Sequence, residues 1–568
     1  MRTLRQAAAL LADATPDGLY ALAAVLGFRG EPERLDAAMR AALGLPDGLT
    51  DVRLVRGRGA LRALLIAGTA DAPLRTLLTS VAASLCTRTA HVLWTLIGVS
   101  HDGAEIGIGC WTADRRPPRL IALVARRAHV VASDAEALCA LEAASVGDDL
   151  LVYARWCEVL GRDALSRRFY RTLEQRVGAL ARSLPRMPEA DRAELALVAT
   201  SRLLFLAFLQ AKGWLDGDRA FLTNRFDLCM THGGGFHQRV MLPLFFGTLN
   251  TPMRRRAPAA RRFGSVPFLN GGLFARTSLE RRHCAARLSD EALGALFADL
   301  LGAYRFTARE DQAEWSEVAI DPEMLGRAFE SLMAAGERRT SGAFYTPQAL
   351  VSHVSDHALA TALAGNVVTQ QHVVDALAGA ALPVEVQSVM HARLRDLTVL
   401  DPACGSGAFL VHLLERITLL HRACGDPRSI AVIRRDVLGH TIHGVDVNPM
   451  AVWLCELRLW LSVVIENDET RMSAVTPLPN LDCNVRVGDT LSGEAFAAPP
   501  SLVGPPAVLV RLRERYVRAA GARKAPLRRA VAREETRRAL AAIDRELRSI
   551  AMTRRERALG RRARDLFG

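Results

Sequence analysis

The stretch Asp401-Pro402-Ala403-Cys404-Gly405-Ser406-Gly407-Ala408-Phe409-Leu410 decides the reading of this chain. Ahead of it, Leu397-Thr398-Val399-Leu400 is a short apolar and partly β-branched run, the pattern of a strand in a parallel sheet. Asp401 closes that strand. Gly405 and Gly407 give the backbone the freedom a tight turn and the close approach of a ligand require, and Ala408 to Leu414 then resumes helical spacing. A strand, a glycine turn and a helix in that order hold a nucleotide-like cofactor in doubly wound folds. A glycine pair by itself also makes an ordinary βα turn, so the reading depends on the strands downstream.

About forty residues on, Thr441-Ile442-His443-Gly444-Val445-Asp446 reads as a second strand ending in an acid, and Val447-Asn448-Pro449-Met450-Ala451 opens another helix. An acid there can accept hydrogen bonds from both hydroxyls of a ribose. Val485-Arg486-Val487-Gly488-Asp489-Thr490-Leu491 is a third strand with a terminal acid aimed at the same crevice. Each acid alone reads as an exposed loop residue. Three in succession at strand ends read as a binding crevice.

These residues resemble the S-adenosylmethionine-dependent DNA adenine methyltransferases, in particular the large type IIG-like methylases of restriction-modification and phage defence. GAFYTP at 342–347, DPACGSGAFL at 401–410, GVDVNPMAV at 444–452 and GDTL at 488–491 occur in that family's order, and FLNGGLF at 268–274 and DPEMLGRAFE at 321–330 resemble its upstream segments. The resemblance covers roughly residues 165 to 568. It implies that Tyr345, Thr346 and Pro347 line the methionine end of S-adenosylmethionine, with Asp401, Ala403, Gly405 and Gly407 around its amino acid and ribose. Asp446 would take the ribose hydroxyls, Asp489 the adenine amino group, and Val447 and Leu491 the faces of the ring. The activity implied is transfer of a methyl group to N6 of a flipped-out adenine, with double-stranded DNA as partner and no metal.

The chain departs from that family at the motif that holds the target base, an Asn or Asp followed by Pro-Pro and an aromatic residue, whose carbonyls accept from the exocyclic amine while the ring stacks on the base. Ala498-Pro499-Pro500-Ser501 and Gly504-Pro505-Pro506-Ala507 have neither the amide or acid nor the aromatic residue, and read as a proline-rich linker. The expectation is a cofactor-binding portion, inactive alone, from either an interrupted gene product or a split enzyme. In the second case a separate polypeptide carries the catalytic and target-recognition half. No catalytic residue is assigned. A non-catalytic DNA-binding or scaffold subunit of a defence complex is the alternative from another class, and methylation of RNA or protein is the alternative within enzymes.

The fold class expected is α/β, an incomplete Rossmann-like methyltransferase sheet preceded by a small α/β domain and a helical domain. Residues 1–150 form the small domain, with strands at 52–55, 92–99 and 120–124; it is nuclease-like by position but lacks a nuclease motif. Residues 151–335 are helical, 336–395 helical with the upstream cofactor motif, 396–495 the cofactor domain, and 496–568 the linker and a basic helical tail.

Composition narrows the function further. With 568 residues, 50% hydrophobic and 23% charged, the chain has the make-up of a multidomain globular protein. The N-terminus has a six-residue apolar run before Asp13, too short for a signal peptide, and the apolar run at Leu203 to Leu209 is too short to span a bilayer; a cytoplasmic protein is expected, with no membrane partner. Ten cysteines without a CxxC pair suggest neither a zinc site nor a disulfide framework. Of 73 basic residues only Lys212 and Lys524 are lysines, which argues against a P-loop and against a nuclease built on an acidic pair and a lysine in the first 211 residues. Residues 511–568 hold 19 Lys plus Arg against 7 Asp plus Glu, a difference of +12 out of the net +13. Such a helix can neutralise phosphates along DNA or serve as a spacer with a solvated face.

Overall fold

The structure is a computed structural model of the full chain. It describes residues 2–567 apart from 14, 47–48, 50, 69–72, 112–117, 271, 308–314, 318, 321–323, 327, 329–347, 468 and 492–506. The chain divides into two compact units that do not follow linear order: Met1–Lys212 with Arg219–His237 and Ala285–Ser331, and Gly213–Asp218 with Gln238–Cys284 and Leu332–Gly568.

The first unit is built on a seven-stranded sheet whose spatial order is its sequence order: β1 (Glu33–Arg34), β2 (Val52–Arg56), β3 (Leu61–Ala67), β4 (Leu93–Val99), β5 (Glu105–Trp111), β6 (Leu120–Arg126) and β7 (Trp315–Glu317). The strands expected near 52, 92 and 120 are β2, β4 and β6. β3 and β5 escaped the sequence reading because LRALLIA has the leucines and alanines of a helix and EIGIGCW alternates isoleucine with glycine. Within this sheet, among the described residues, only β3–β4 and β6–β7 pair in parallel. The first of these needs a crossover, which α1 (Leu74–Arg88) supplies by burying Leu74, Leu77, Leu78, Val81, Ala82 and Leu85 along one stripe.

Helix α2 (Glu189–Ala211) belongs to the same unit and is longer than the apolar run visible in the sequence. Among the described residues it is the one helix long and apolar enough to cross a membrane by length and composition, and 83% of its apolar window is buried inside the protein.

The second unit contains a three-stranded parallel sheet, β8 (Val399–Asp401), β9 (Ile442–Asp446) and β10 (Val485–Val487), in the order β10-β9-β8. The protein is thus a mixed α/β structure, with this small parallel sheet at the place of the expected incomplete Rossmann-like sheet. Helices α3 (Gln348–Leu363), α4 (Gln370–Leu377), α5 (Val384–Asp396), α6 (Ala408–Ala423), α7 (Ile430–His440) and α8 (Pro449–Ile465) belong to the same unit, and α6, α7 and α8 pack on the sheet. α6 packs against α3, α4, α5 and α7. α8 is buried almost all round, from Leu454 to Ile465 without a break, which explains its near-continuous apolar sequence.

Residues 268–270 and 272–274, from the FLNGGLF segment, lie within this unit. Leu478 N donates to Leu269 O at 2.6 Å, and Gly272 lies so close to the Trp460 ring that a Cβ would stand 3.1 Å from it. Asn270, at φ 56°, donates through Nδ2 to Ala519 O at 3.1 Å, an acceptor it shares with Asn480 Nδ2 at 2.7 Å.

The basic tail consists of α9 (Ala507–Val517) and α10 (Lys524–Phe567), and its first part is not a free arm. Leu509, Tyr516 and Val531 form a buried cluster with Cys483, and Arg486 and Arg513 both reach Glu535, at 2.7 and 2.9 Å.

Candidate functional site

β8, β9 and β10 run parallel, so their C-terminal ends lie on one edge of the sheet, and the register places Asp401 beside Gly444 and Asp446 beside Val487. Asp401, Asp446 and the Gly488-Asp489 turn therefore converge there. The turns are bonded to one another as well as to their strands. Gly405 N donates to Asp446 Oδ2 at 2.9 Å, Cys404 N to Val445 O at 2.9 Å, Gly488 N to Asp446 O at 2.9 Å, and Thr490 Oγ1 to Pro402 O at 3.1 Å.

The glycines have distinct jobs. Gly407 is the residue before α6 with φ 85°, and an added Cβ would stand 2.6 Å from Cys455 Sγ in α8, so the left-handed backbone and the close approach to a neighbouring helix both exclude a side chain. Gly405 has φ 52° with nothing within 4 Å of the place a Cβ would take, so open space lies over the turn.

The two acids differ in their bonding. Asp446 Oδ1 accepts from Asn448 N at 2.8 Å while Oδ2 accepts from Gly405 N, which uses one lone pair on each oxygen and leaves one on each. Asp401 Oδ1 accepts from Ala403 N at 3.1 Å, but Oδ2 is buried with no partner. Burial raises the pKa of Asp401, opposed by the Ala403 bond and helped by the nearby Asp446 charge. A buried carboxylate oxygen left bare costs about 1–3 kcal/mol, so this position is suited to a donor that arrives with a ligand.

Val447 and Leu491 are 61% and 86% exposed, apolar side chains left in solvent beside the strand ends. Asp489 is exposed and its Oδ1 accepts from Leu491 N at 2.9 Å. Of the residues singled out from the sequence, Asp401, Ala403, Gly405, Gly407, Asp446, Val447, Asp489 and Leu491 come together at this edge. Tyr345, Thr346 and Pro347 lie outside the described residues, as do Pro499, Pro500, Pro505 and Pro506.

The supports of the turn were not read from the sequence. Arg458 is buried in α8 and donates through Nη1 to Ser406 O at 3.0 Å and Ser406 Oγ at 2.9 Å, fixing the turn from beneath. Asn448 Oδ1 caps α8 by accepting from Met450 N at 2.8 Å. The signals were present: Asn-Pro is a helix start, and Glu456 and Arg458 are the charged residues in an otherwise apolar 17-residue helix.

Residues 320–476 match the N-6 DNA Methylase family. Over 334 residues, 54% of this chain, the sequence is 28% identical to a Methanocaldococcus jannaschii protein named as a type II restriction enzyme and methyltransferase. The match spans 28% of that relative's length. Two solved structures were also matched. The type IIL restriction-modification enzyme MmeI in complex with DNA is 21% identical, with a TM-score of 0.39 over 56% of this chain and 40% of that one. The DrdV-DNA complex is 12% identical, with a TM-score of 0.26 over 84% of this chain and 38% of that one. The glycine turn, Asp401 and Asp446 all fall inside residues 320–476, the part of the chain that matches the N-6 DNA methylases.

Proposed function

We propose that the second unit binds S-adenosylmethionine and serves the N6 methylation of adenine in DNA within a restriction-modification or phage-defence system. The observation that carries the reading is the pairing, at adjacent strand ends, of a buried partnerless oxygen on Asp401 with a tethered glycine turn beneath open space. Asp401 Oδ2 would accept from the ammonium of the cofactor. The spare lone pairs of Asp446 would take ribose hydroxyls, and Val447, Asp489 and Leu491 would hold the adenine by ring contact and a hydrogen bond. Tyr345, Thr346 and Pro347 belong to the same proposed site by resemblance alone. When bound, the cofactor supplies an electrophilic methyl on a sulfonium, so the protein's task is to hold it rigidly in line with the acceptor.

DNA is the proposed acceptor, with the exposed arginines of α10 as phosphate contacts and the cytoplasm as the setting. A second polypeptide that completes the target-base wall is part of the proposal. Its support is β8, which pairs only with β9 among the described strands and leaves Leu400 61% exposed. Tritium transfer from labelled S-adenosylmethionine to duplex DNA, RNA and protein, with the chain alone and with candidate partners, tests the acceptor. Label in RNA or protein but not in DNA would overturn it. Methylation by the chain alone, lost in Asp401→Ala, would remove the need for a partner.

The two backbone N–H groups already on Asp446 favour a second reading, in which the sheet is structural and the basic tail acts as a DNA-binding scaffold. Calorimetry with S-adenosylmethionine separates the two, because a scaffold shows no binding at millimolar cofactor.

A further inference from the structure

The turn after α6 gathers three ligating side chains away from the glycine turn. His391 lies in α5, His421 in the last turn of α6, and Asp426 just beyond that helix, with one ligand atom of each within 4.8 Å of the others. His421 Nδ1 is 3.5 Å and His391 Nε2 is 3.8 Å from Asp426 Oδ2. Ligands at ~2.0–2.1 Å around a tetrahedral ion stand roughly 3.3 Å apart, so the two His–Asp spacings are close to that value, and the two imidazoles, within 4.8 Å of each other, would draw together on an ion.

Two further observations set this cluster apart from an acidic patch on a surface. His421 and Asp426 are 4% and 3% exposed. His421 Nδ1 has no hydrogen-bond partner although it is buried, a cost of about 1–3 kcal/mol that a ligand on that nitrogen would remove.

Arg428 is the competing cation. Its Nε and Nη2 reach Asp426 at 3.0 and 2.6 Å, but its Nη1 also reaches Asp436 at 3.0 Å, so its charge is divided between two carboxylates. Arg422 binds the backbone oxygen of Asp426 and not its carboxylate. Arg428 N also donates to Asp426 Oδ1 at 3.0 Å, so Arg428 takes three of the carboxylate's four lone-pair positions and leaves one, on Oδ2, for a metal ion; the C-terminal end of α6 adds the negative pole of its dipole.

We propose that His391, His421 and Asp426 bind a divalent transition-metal cation, zinc foremost, which clips α5 to the C-terminal end of α6. Two imidazoles and one carboxylate suit a borderline cation and leave one position for water. α6 begins at the glycine turn and its 16 residues span about 24 Å, so the ion would act as a brace at the far end of the helix that carries that turn. The sequence hid the site because its ligands, at 391, 421 and 426, have none of the short paired spacings of zinc motifs.

The test uses the full chain, stripped with chelator and dialysed, and titrated with zinc chloride by calorimetry beside His391→Gln and His421→Gln. Zinc should bind the native chain more tightly than either variant, on the order of tenfold or more, and should raise Tm in the native chain only. His391 is 36% exposed, so His391→Gln remains a fair comparison even where the buried His421→Gln fails to fold. Equal zinc affinity in the native chain and His391→Gln, or no zinc-dependent rise in Tm, would overturn the proposal.

Discussion

The amide of Gly405 donates to Asp446 Oδ2 at 2.9 Å, which ties the glycine turn after β8 to the acid that ends β9. The turn is thereby set before any ligand arrives. What remains open is Asp401 Oδ2, one strand away, and the space over Gly405.

Gly407→Ala is the more damaging of the two glycine substitutions. It forces φ 85° on a residue with a side chain and drives a Cβ to 2.6 Å from Cys455 Sγ, whereas Gly405→Ala at φ 52° meets open space. Urea unfolding should show a loss of about 2–3 kcal/mol for the first and about 1 kcal/mol for the second. Equal losses would mean that contact with Cys455 does not constrain the turn.

Glu456 makes stability fall as pH rises. Burial first, and then the Asp482 charge, raise its pKa to about 8, with Lys524 and Arg528 opposing. The unfolded chain releases this proton near the ordinary carboxylate range and the folded chain only near pH 8, so between those values the folded state binds more protons. Its contribution is therefore complete below about pH 4.5 and is lost as pH rises to about 8. Urea unfolding at pH 5.5 and 8.5 should show a decrease on the order of one to a few kcal/mol, and Glu456→Gln should flatten it. A variant as steep as the native chain would assign the slope to another group.

The free part of α10 should carry salt-dependent affinity for DNA. Arg554, Arg555 and Arg557 are exposed, whereas Arg537 and Arg538 are paired with Glu534 at 2.6 and 2.9 Å. Anisotropy with a labelled duplex at several salt concentrations should show the triple Arg→Ala variant of the exposed set weaker and less steep, by roughly 0.9 in log-log slope for each phosphate no longer neutralised. An unchanged slope would leave α10 as a spacer.

How much was legible depends on how local each signal is. Asp401, Gly405 and Gly407 were readable because a strand, a turn and a helix within about a dozen residues carry their own punctuation, and Asp446 and Asp489 because each ends a short β-branched run. The supports come from elsewhere: Arg458 reaches Ser406 across 52 residues, and Gly407 owes its necessity to Cys455. No periodicity records such contacts. β3 and β5 were missed because the leucines of one and the glycines of the other are poor strand signals, and the sheet around them overrides propensity. His391, His421 and Asp426 are joined only by the packing of α5 on α6.

The central claim is that this strand-end edge is a cofactor site, and calorimetric titration of the full chain with S-adenosylmethionine tests it most directly, with Asp401→Asn as companion. Removing one charged acceptor costs about 1.5–3 kcal/mol, so saturable one-site binding should weaken roughly 10- to 100-fold in the variant while its Tm stays near that of the native chain. No heat of binding at millimolar cofactor in a folded chain, or equal affinity in Asp401→Asn, would contradict the account.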